Sequence, residues 1–255
     1  MDTARDKRQT IVNTWGKERG PMTPALKEAL VQVSTATLTL QLLKRGIRRV
    51  ALAGVAPLAP GQERLVGPAY TLRFLPLRED LAHPDVLGAP GYGPRVAIEE
   101  APAGSVMVIE ARGVTTAGVI GDILAARLVQ RGVAGLISDG AVRDGAGVRA
   151  TGLPVWCQGE TAPATLNEHA GGDIQVPVAC GGVTVLPGDI MVADGDGAIV
   201  IPAALAEDVA AGARAQERFE AWVQDRVAEG RHTIGLYPPN AETQAEYDAW
   251  LKDQG

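Results

Sequence analysis

Lysine is nearly absent from the middle of this 255-residue chain. Lys7, Lys17, Lys27, Lys44 and Lys252 are the full set, so nothing between Gly46 and Leu251 can form a Schiff base. Imine chemistry and a pyridoxal phosphate linkage are thereby disfavoured. Cysteine is scarce too. Cys157 and Cys180 lack CxxC spacing and sit in apolar or glycine-rich surroundings, which reads as two reduced thiols in or near the core of a cytoplasmic protein. No run approaches the roughly 18 apolar residues that span a bilayer. The polar first twenty residues contain no apolar stretch of the secretory-signal kind. The net charge is −6 and no lysine/arginine block stands out, which argues against nucleic-acid binding through phosphate contacts. His83, His169 and His232 lie far apart without the i, i+4 spacing of a zinc site, and no G-x-S-x-G elbow is present.

What is there is a globular composition, 46% hydrophobic and 21% charged, long enough for a full core. Residues before Gly20 read as a flexible arm. Thr23-Pro24 opens a helix whose pattern continues to Arg45, with Gly46 as its stop. RRVALAGV and RLVGPAYTLRF read as strands separated by the turn-rich PLAPGQ. The stretch from Pro76 to Pro94, rich in proline, glycine and charge, reads as a loop able to cover a site.

SVMVIEA, DILAARLVQR and VAGLIS form a strand–helix–strand unit, the pattern of a parallel crossover. Five short strands follow (PVWCQ, IQVPVAC, VTVLP, DIMVAD and AIVIP), then a helix from about Ala203 to Glu229 and an aromatic tail. The expected fold is α/β, a layered sandwich of sheet and helix. The expected division is an arm over 1–22, one domain over 23–229 and a C-terminal extension over 230–255.

Two stretches carry chemistry. TTAGVIGDILA feeds a glycine-rich turn into a helix N-terminus, where unpaired amides and the positive end of the helix dipole suit a carboxylate or phosphate. It is neither a Walker loop nor GxGxxG. Taken alone, Asp122 reads first as a group that stabilises the helix start. In LISDGAVRD an apolar strand runs into Asp139-Gly140 and ends on Arg143-Asp144. A carboxylate here is a hard oxygen ligand suited to Mg²⁺, and the adjacent guanidinium offers a planar donor fork. A surface ion pair of little worth is the plainer reading.

One helix and one strand join the two stretches, so both can face one crevice. GDILAARLVQRGVAGLISDGAVRD, then LPVWCQG, then VTVLPGDIMVADGDGAIVIP together resemble the RraA-like family, over roughly Thr23 to Val209. That family includes divalent-metal-dependent 4-hydroxy-4-methyl-2-oxoglutarate aldolases, also active as oxaloacetate decarboxylases, and non-catalytic regulators of ribonuclease E. The resemblance implies an α/β/β layering of the swivelling type, with N- and C-terminal helical extensions here. It implies that Asp144 ligates Mg²⁺ or Mn²⁺, that Arg143 contacts the 2-oxo oxygen, and that Asp122 holds water of the metal's shell. The amides of Ile123 and Leu124, with the loop through Gly118, Val119 and Gly121, would bind the substrate carboxylate. A glutamate of a neighbouring subunit, for which Glu217 or Glu220 could serve, would complete the shell.

The expected function is therefore a class II pyruvate aldolase on 4-hydroxy-2-oxo acids, with oxaloacetate decarboxylase activity. A ribonuclease-binding regulator, or a lyase or dehydratase on sugar-derived 2-oxo acids, are the alternatives. The resemblance also implies a homotrimer or homohexamer, and the aromatic tail (Trp222, Tyr237, Tyr247, Trp250) points the same way as surface a small monomer would struggle to cover. Three further features are set aside or ranked second. Asp194, Asp196 and Gly197 read as a tight strand turn rather than a calcium loop. Glu99-Glu100 reads as a solvated edge. Arg112, at a strand end, is a secondary carboxylate-binding candidate.

Overall fold

The computed structural model describes residues 22–80 and 82–254; the expected arm, apart from Met22, lies outside them. Two short helices come first, α1 (Pro24–Val31) and α2 (Thr35–Lys44), where the sequence pattern suggests one continuous helix. The break is local chemistry. The Ser34 hydroxyl caps α2 by accepting from the Thr37 amide at 3.1 Å. Its own amide and hydroxyl both donate to Glu217, each at 3.0 Å. A side chain that satisfies a helix start while a distant carboxylate takes its N–H competes directly with an uninterrupted ladder.

Next come β1 (Ala56–Pro57), β2 (Leu65–Arg73) and β3 (Leu75–Pro76), then α3 (Gly93–Glu100) and β4 (Val106–Glu110). After these lie α4 (Asp122–Gln130), β5 (Gly135–Ser138), β6 (Ala141–Val142), α5 (Gly145–Ala150), β7 (Val155–Cys157) and β8 (Gly159–Glu160). The chain ends with β9 (His169–Ala170), β10 (Val178–Cys180), β11 (Val183–Val185), β12 (Ile190–Asp194), β13 (Gly197–Ile201), α6 (Ala206–Ala228) and α7 (Ala241–Asp253). RRVALAGV is not a named strand; it contributes an isolated bridge from Ala51 to Ile199.

Seven strands form the main sheet in the order β1-β7-β5-β4-β2-β12-β13. Its centre, from β7 to β2, is parallel, and β12 and β13 extend it antiparallel. The edge strands β1 and β13 return into contact, so the sheet nearly closes.

Alternation along each strand builds two cores. Val106 and Val108 of β4, Ile137 of β5 and Trp156 of β7 belong to one, shared with the β10–β11 ribbon and with α1, α2 and α6. Met107, Ile109, Leu136 and Val155 point the other way, onto Ala97, Ala125, Leu128 and Val148 of α3, α4 and α5. Both faces of the parallel strands are covered, which is why they read as continuous apolar runs. The result is the mixed α/β layering expected from the sequence. Cys157 and Cys180 are free and buried, as their apolar surroundings suggested.

The aromatic tail is not the open surface it resembles in sequence. Trp222 and Tyr247 are buried with Leu236 in a third cluster between α6 and α7, and Phe219 and Trp250 pack against it. These rings find partners within their own chain, whereas Tyr237 of the same tail stays exposed. Among the described residues no helix is long and apolar enough to cross a membrane.

Removing the α2 cap tests the helix break. Ser34→Ala should lower unfolding stability by roughly 1–2 kcal/mol in urea titration at unchanged m-value. It loses one cap bond and leaves Glu217 short of a donor.

Candidate active site

A cleft of about 220 Å³ opens where α4, the β6–α5 turn and the segment after β3 meet. Its polar end is built from the two stretches the sequence singles out. The backbone of residues 118–120 lies against β6: the Val119 amide donates to Ala141 O at 2.9 Å and the Arg143 amide to Ile120 O at 2.9 Å. Gly118 bridges Ala141 in parallel register. A β-carbon on Gly118 would stand 2.6 Å from the Arg143 amide nitrogen, so the approach requires glycine.

Two more glycines lie against the charged side chains. A β-carbon on Gly121 would lie 3.2 Å from an Asp144 carboxylate oxygen and 3.3 Å from Arg143 Cγ. One on Gly147 would lie 2.9 Å from Asp122 Oδ2. Asp122, Arg143 and Asp144 therefore share one small space, and all three line the cleft with Val119, Gly121, Ile123 and Leu124. Gly118 stands just behind, holding Arg143.

Asp144 adopts a left-handed conformation (φ 54°, ψ 41°) just before α5. Few residues other than glycine do so, aspartate and asparagine among them. Arg143 Nε donates to Asp144 Oδ2 at 3.0 Å, and both side chains are about half exposed. Asp122 is the first residue of α4, with Gly121 as the cap. Its Oδ1 accepts from the Ile123 amide at 2.7 Å. Of the two amides assigned by resemblance to the substrate carboxylate, Ile123 is thus already engaged by Asp122. The Leu124 amide has no acceptor among the described residues, as the first turn of a helix allows.

Sequence reasoning reached only part of the far wall. Phe74 comes from between β2 and β3, Leu87, Tyr92 and Pro94 from the segment after β3, and Ala164, Thr165 and Leu166 from the loop before β9. The Thr165 hydroxyl donates to Gly118 O at 2.6 Å, tying that loop to the glycine-rich turn. Arg95 also lines the cleft, and its neighbour one turn on, Glu99, is held by Arg127 instead. The expected covering loop over 76–94 does supply part of this wall, including a 3₁₀ turn over Pro84–Gly88.

Other candidates resolve into structure. Arg112 (φ 60°) turns away from the cleft; its Nη2 donates to Glu168 O at 3.0 Å and lies 2.9 Å from His169 Nδ1. Asp139 is buried and straps two strand ends together, accepting from the amides of Ala111 (2.6 Å) and Gly113 (3.1 Å). Burial raises its carboxyl above the usual aspartate value despite those bonds. Asp194 accepts from the Thr35 amide and hydroxyl and from Asp196 N, so it forms a structural turn. Glu217 is engaged by Ser34, and Glu220 accepts from Gln216 and the Tyr237 hydroxyl, so both are occupied inside their own chain. Glu99 and Glu100 end helix α3, where Glu99 pairs with Arg127.

Among the described residues no three histidine, cysteine or acidic side chains cluster as a complete metal cage. The donor set at the cleft nonetheless fits a hard divalent cation, because Mg²⁺ is commonly held by one or two carboxylates with water filling its remaining positions. The missing β-carbons at Gly121 and Gly147 keep the space beside Asp144 and Asp122 open.

Comparison with known proteins agrees with this architecture. The RraA-like family (Aldolase/RraA) matches residues 24–200, and the chain belongs to it. A Halalkalibacterium halodurans protein provisionally named a 4-hydroxy-4-methyl-2-oxoglutarate aldolase is 35% identical over 147 residues, 58% of this chain and 64% of that one. Protein DlpA of Legionella pneumophila is 32% identical over 179 residues, 70% of this chain but 28% of its own length. The matches thus span less than two thirds of either relative. The crystal structure of Streptomyces coelicolor RraAS2, an unusual member of the RNase ES inhibitor RraA family, superposes with a TM-score of 0.73. It is 37% identical, and the match covers 81% of this chain and 99% of that one.

His169 gives a pH test of the cleft's support. Burial and the neighbouring Arg112 lower it to about 4, so the folded protein holds it neutral. A base whose folded value is depressed contributes stability that is full above its unfolded value near 6.5. That contribution is lost progressively as the pH falls towards 4. His169→Phe should flatten the thermal-stability profile between pH 6.5 and 4 relative to the parent protein.

Proposed function

We propose that the cleft cleaves 4-hydroxy-2-oxo acids to pyruvate with a divalent metal, and decarboxylates oxaloacetate through the same enolate. The observation that carries this reading is the convergence of Asp122, Arg143 and Asp144 on a helix N-terminus, in a cleft that no lysine among the described residues lines. An electron sink is needed for carbon–carbon cleavage, and an imine is not available there.

Asp144 would hold the metal and Asp122 would hold water of its shell; the chemistry the metal would supply is to polarise the 2-oxo group as a Lewis acid. The chain's own groups do the rest. The Leu124 amide and the positive end of α4 receive the C1 carboxylate. Water held by Asp122 takes the C4 hydroxyl proton. The C3–C4 bonding pair then moves onto the C2 carbonyl, releasing a carbonyl product and leaving the pyruvate enolate. Arg143 donates to the enolate oxygen as its charge develops. The water held by Asp122 returns the proton to C3, giving pyruvate. In oxaloacetate the same electron flow expels carbon dioxide. Phe74, Tyr92 and Leu166 form an apolar wall beside these charges, and Arg95 at that wall meets a second carboxylate where the substrate carries one.

The regulator reading has support in the likeness to RraAS2. Presence of both carboxylates and the guanidinium in one cleft favours catalysis. We further propose a homotrimer or homohexamer on the family resemblance alone.

In a coupled assay of pyruvate release from oxaloacetate, Asp144→Asn should abolish turnover while circular dichroism stays unchanged. Activity fully retained in EDTA would overturn the metal mechanism. Arg143→Lys should lower kcat on the order of 10²-fold, because a point ammonium cannot reproduce the fork. Oxalate, a planar mimic of the enolate, should inhibit competitively and bind by calorimetry only when Mg²⁺ is present.

A further inference from the structure

A second hollow, about 600 Å³, shares no residue with the cleft. Three helices and a turn enclose it. Leu40, Gln41 and Lys44 come from α2; Gly212, Ala215, Gln216 and Phe219 from one face of α6; Tyr237 and two prolines from the turn; Gln244 and Tyr247 from α7. The spacing of the α6 residues places them on a single stripe. Gly212 is a condition of the shape, since a β-carbon there would meet Gln41 Oε1 at 2.5 Å.

The walls are aromatic. The Phe219 ring lies 6.3 Å from Tyr237 at 23° and 5.0 Å from Tyr247, edge-on at 77°. The floor is polar but internally satisfied. Gln216 Oε1 accepts from Gln41 Nε2 at 2.5 Å and from Lys44 Nζ at 2.9 Å. Gln216 Nε2 donates to Glu220 at 2.7 Å, which also accepts from the Tyr237 hydroxyl at 2.6 Å. Gln41 Oε1 accepts from Arg45 at 2.8 Å. Arg45 itself is paired with Asp208.

Among the described residues, Lys44 is the only charged one that lines the hollow. Its one bond is to a neutral amide oxygen, and among the described residues it forms no ion pair, so two ammonium hydrogens remain for a ligand. Among the described residues no acidic side chain lines the space, and Glu220 behind it is already taken by Gln216 and Tyr237, which disfavours a cation. A single positive charge disfavours a dianion such as oxalate. The volume lies within the 300–1,000 Å³ range of small-molecule sites, and aromatic walls with one convergent charge match their usual construction.

We propose that this hollow binds a small aromatic monocarboxylate, with its ring against Phe219, Tyr237 and Tyr247 and its carboxylate on Lys44. The site is separate from the proposed reaction and stands whether or not that reaction is correct. Edge and face contacts of aromatic rings reward a planar body, and the ammonium selects the charged acid over its neutral amide.

Calorimetry on the full chain with phenylacetate, phenylacetamide and acetate tests this. Phenylacetate should bind at least tenfold more tightly than either of the others. Lys44→Met, at an exposed position, should weaken phenylacetate at least tenfold and leave phenylacetamide unchanged. Asp144→Asn and saturating oxalate with Mg²⁺ should leave phenylacetate binding unaltered. Absence of binding at 10 mM (about the weakest affinity worth calling a site), equal binding of acid and amide, or displacement by oxalate would each overturn the proposal. So would an unbound parent protein whose sedimentation changes on Lys44→Glu, which would make the hollow a contact between copies of the chain.

Discussion

The cleft depends on a backbone approach that only a hydrogen side chain permits. Gly118 lies flat against the amide of Arg143, and the peptide groups on either side of it are hydrogen-bonded to β6 and to the loop before β9. That contact fixes the distance between the start of α4 and the β6–α5 turn. The charged side chains inherit their arrangement from it, since Gly121 and Gly147 leave room for carboxylates on both flanks. Rigid backbone, rather than mutual attraction, brings Asp122 and Asp144 together. Asp144 already has one positive partner there, Arg143 Nε at 3.0 Å.

The second constraint is the double-faced sheet. Because alternate residues of β4, β5 and β7 enter different cores, the strand ends that carry Asp139 and the β6 turn are clamped from both sides. Helices α4 and α5 pack on one face only, beside the cleft. The C-terminal helices form their own aromatic cluster away from it. The two hollows are therefore built from different layers, one on the glycine-rich loops and one on helix faces.

Much of this was legible in the residues. Alternation and apolar runs place β2, β4, β5, β7, β12 and β13, and the strand–helix–strand pattern around Asp122 gives the parallel centre of the sheet. The polar end of the cleft was legible because its residues sit on two short, connected stretches. The far wall was legible only in part: Tyr92 belongs to the 76–94 loop read as able to cover a site, whereas Phe74 and Leu166 come from segments with no shared periodicity and only the folded chain brings them there. RRVALAGV looks like a strand but meets its neighbour through a single bridge. The break between α1 and α2 escapes pattern reading because its cause, Glu217, lies 183 residues away. Arg112 looked available at a strand end, yet its positive φ swings it onto His169.

The left-handed backbone at Asp144 limits what any lineage of this chain could place there. A β-branched or bulky residue is strained at φ 54° before its chemistry is considered, which leaves aspartate, asparagine and glycine as the comfortable occupants. Of these three only aspartate brings a negative charge. A chain that lost the charge but kept the turn would therefore carry asparagine or glycine at this position. It would keep its shape, its neighbours' packing and the glycine-lined space, with the carboxylate alone removed.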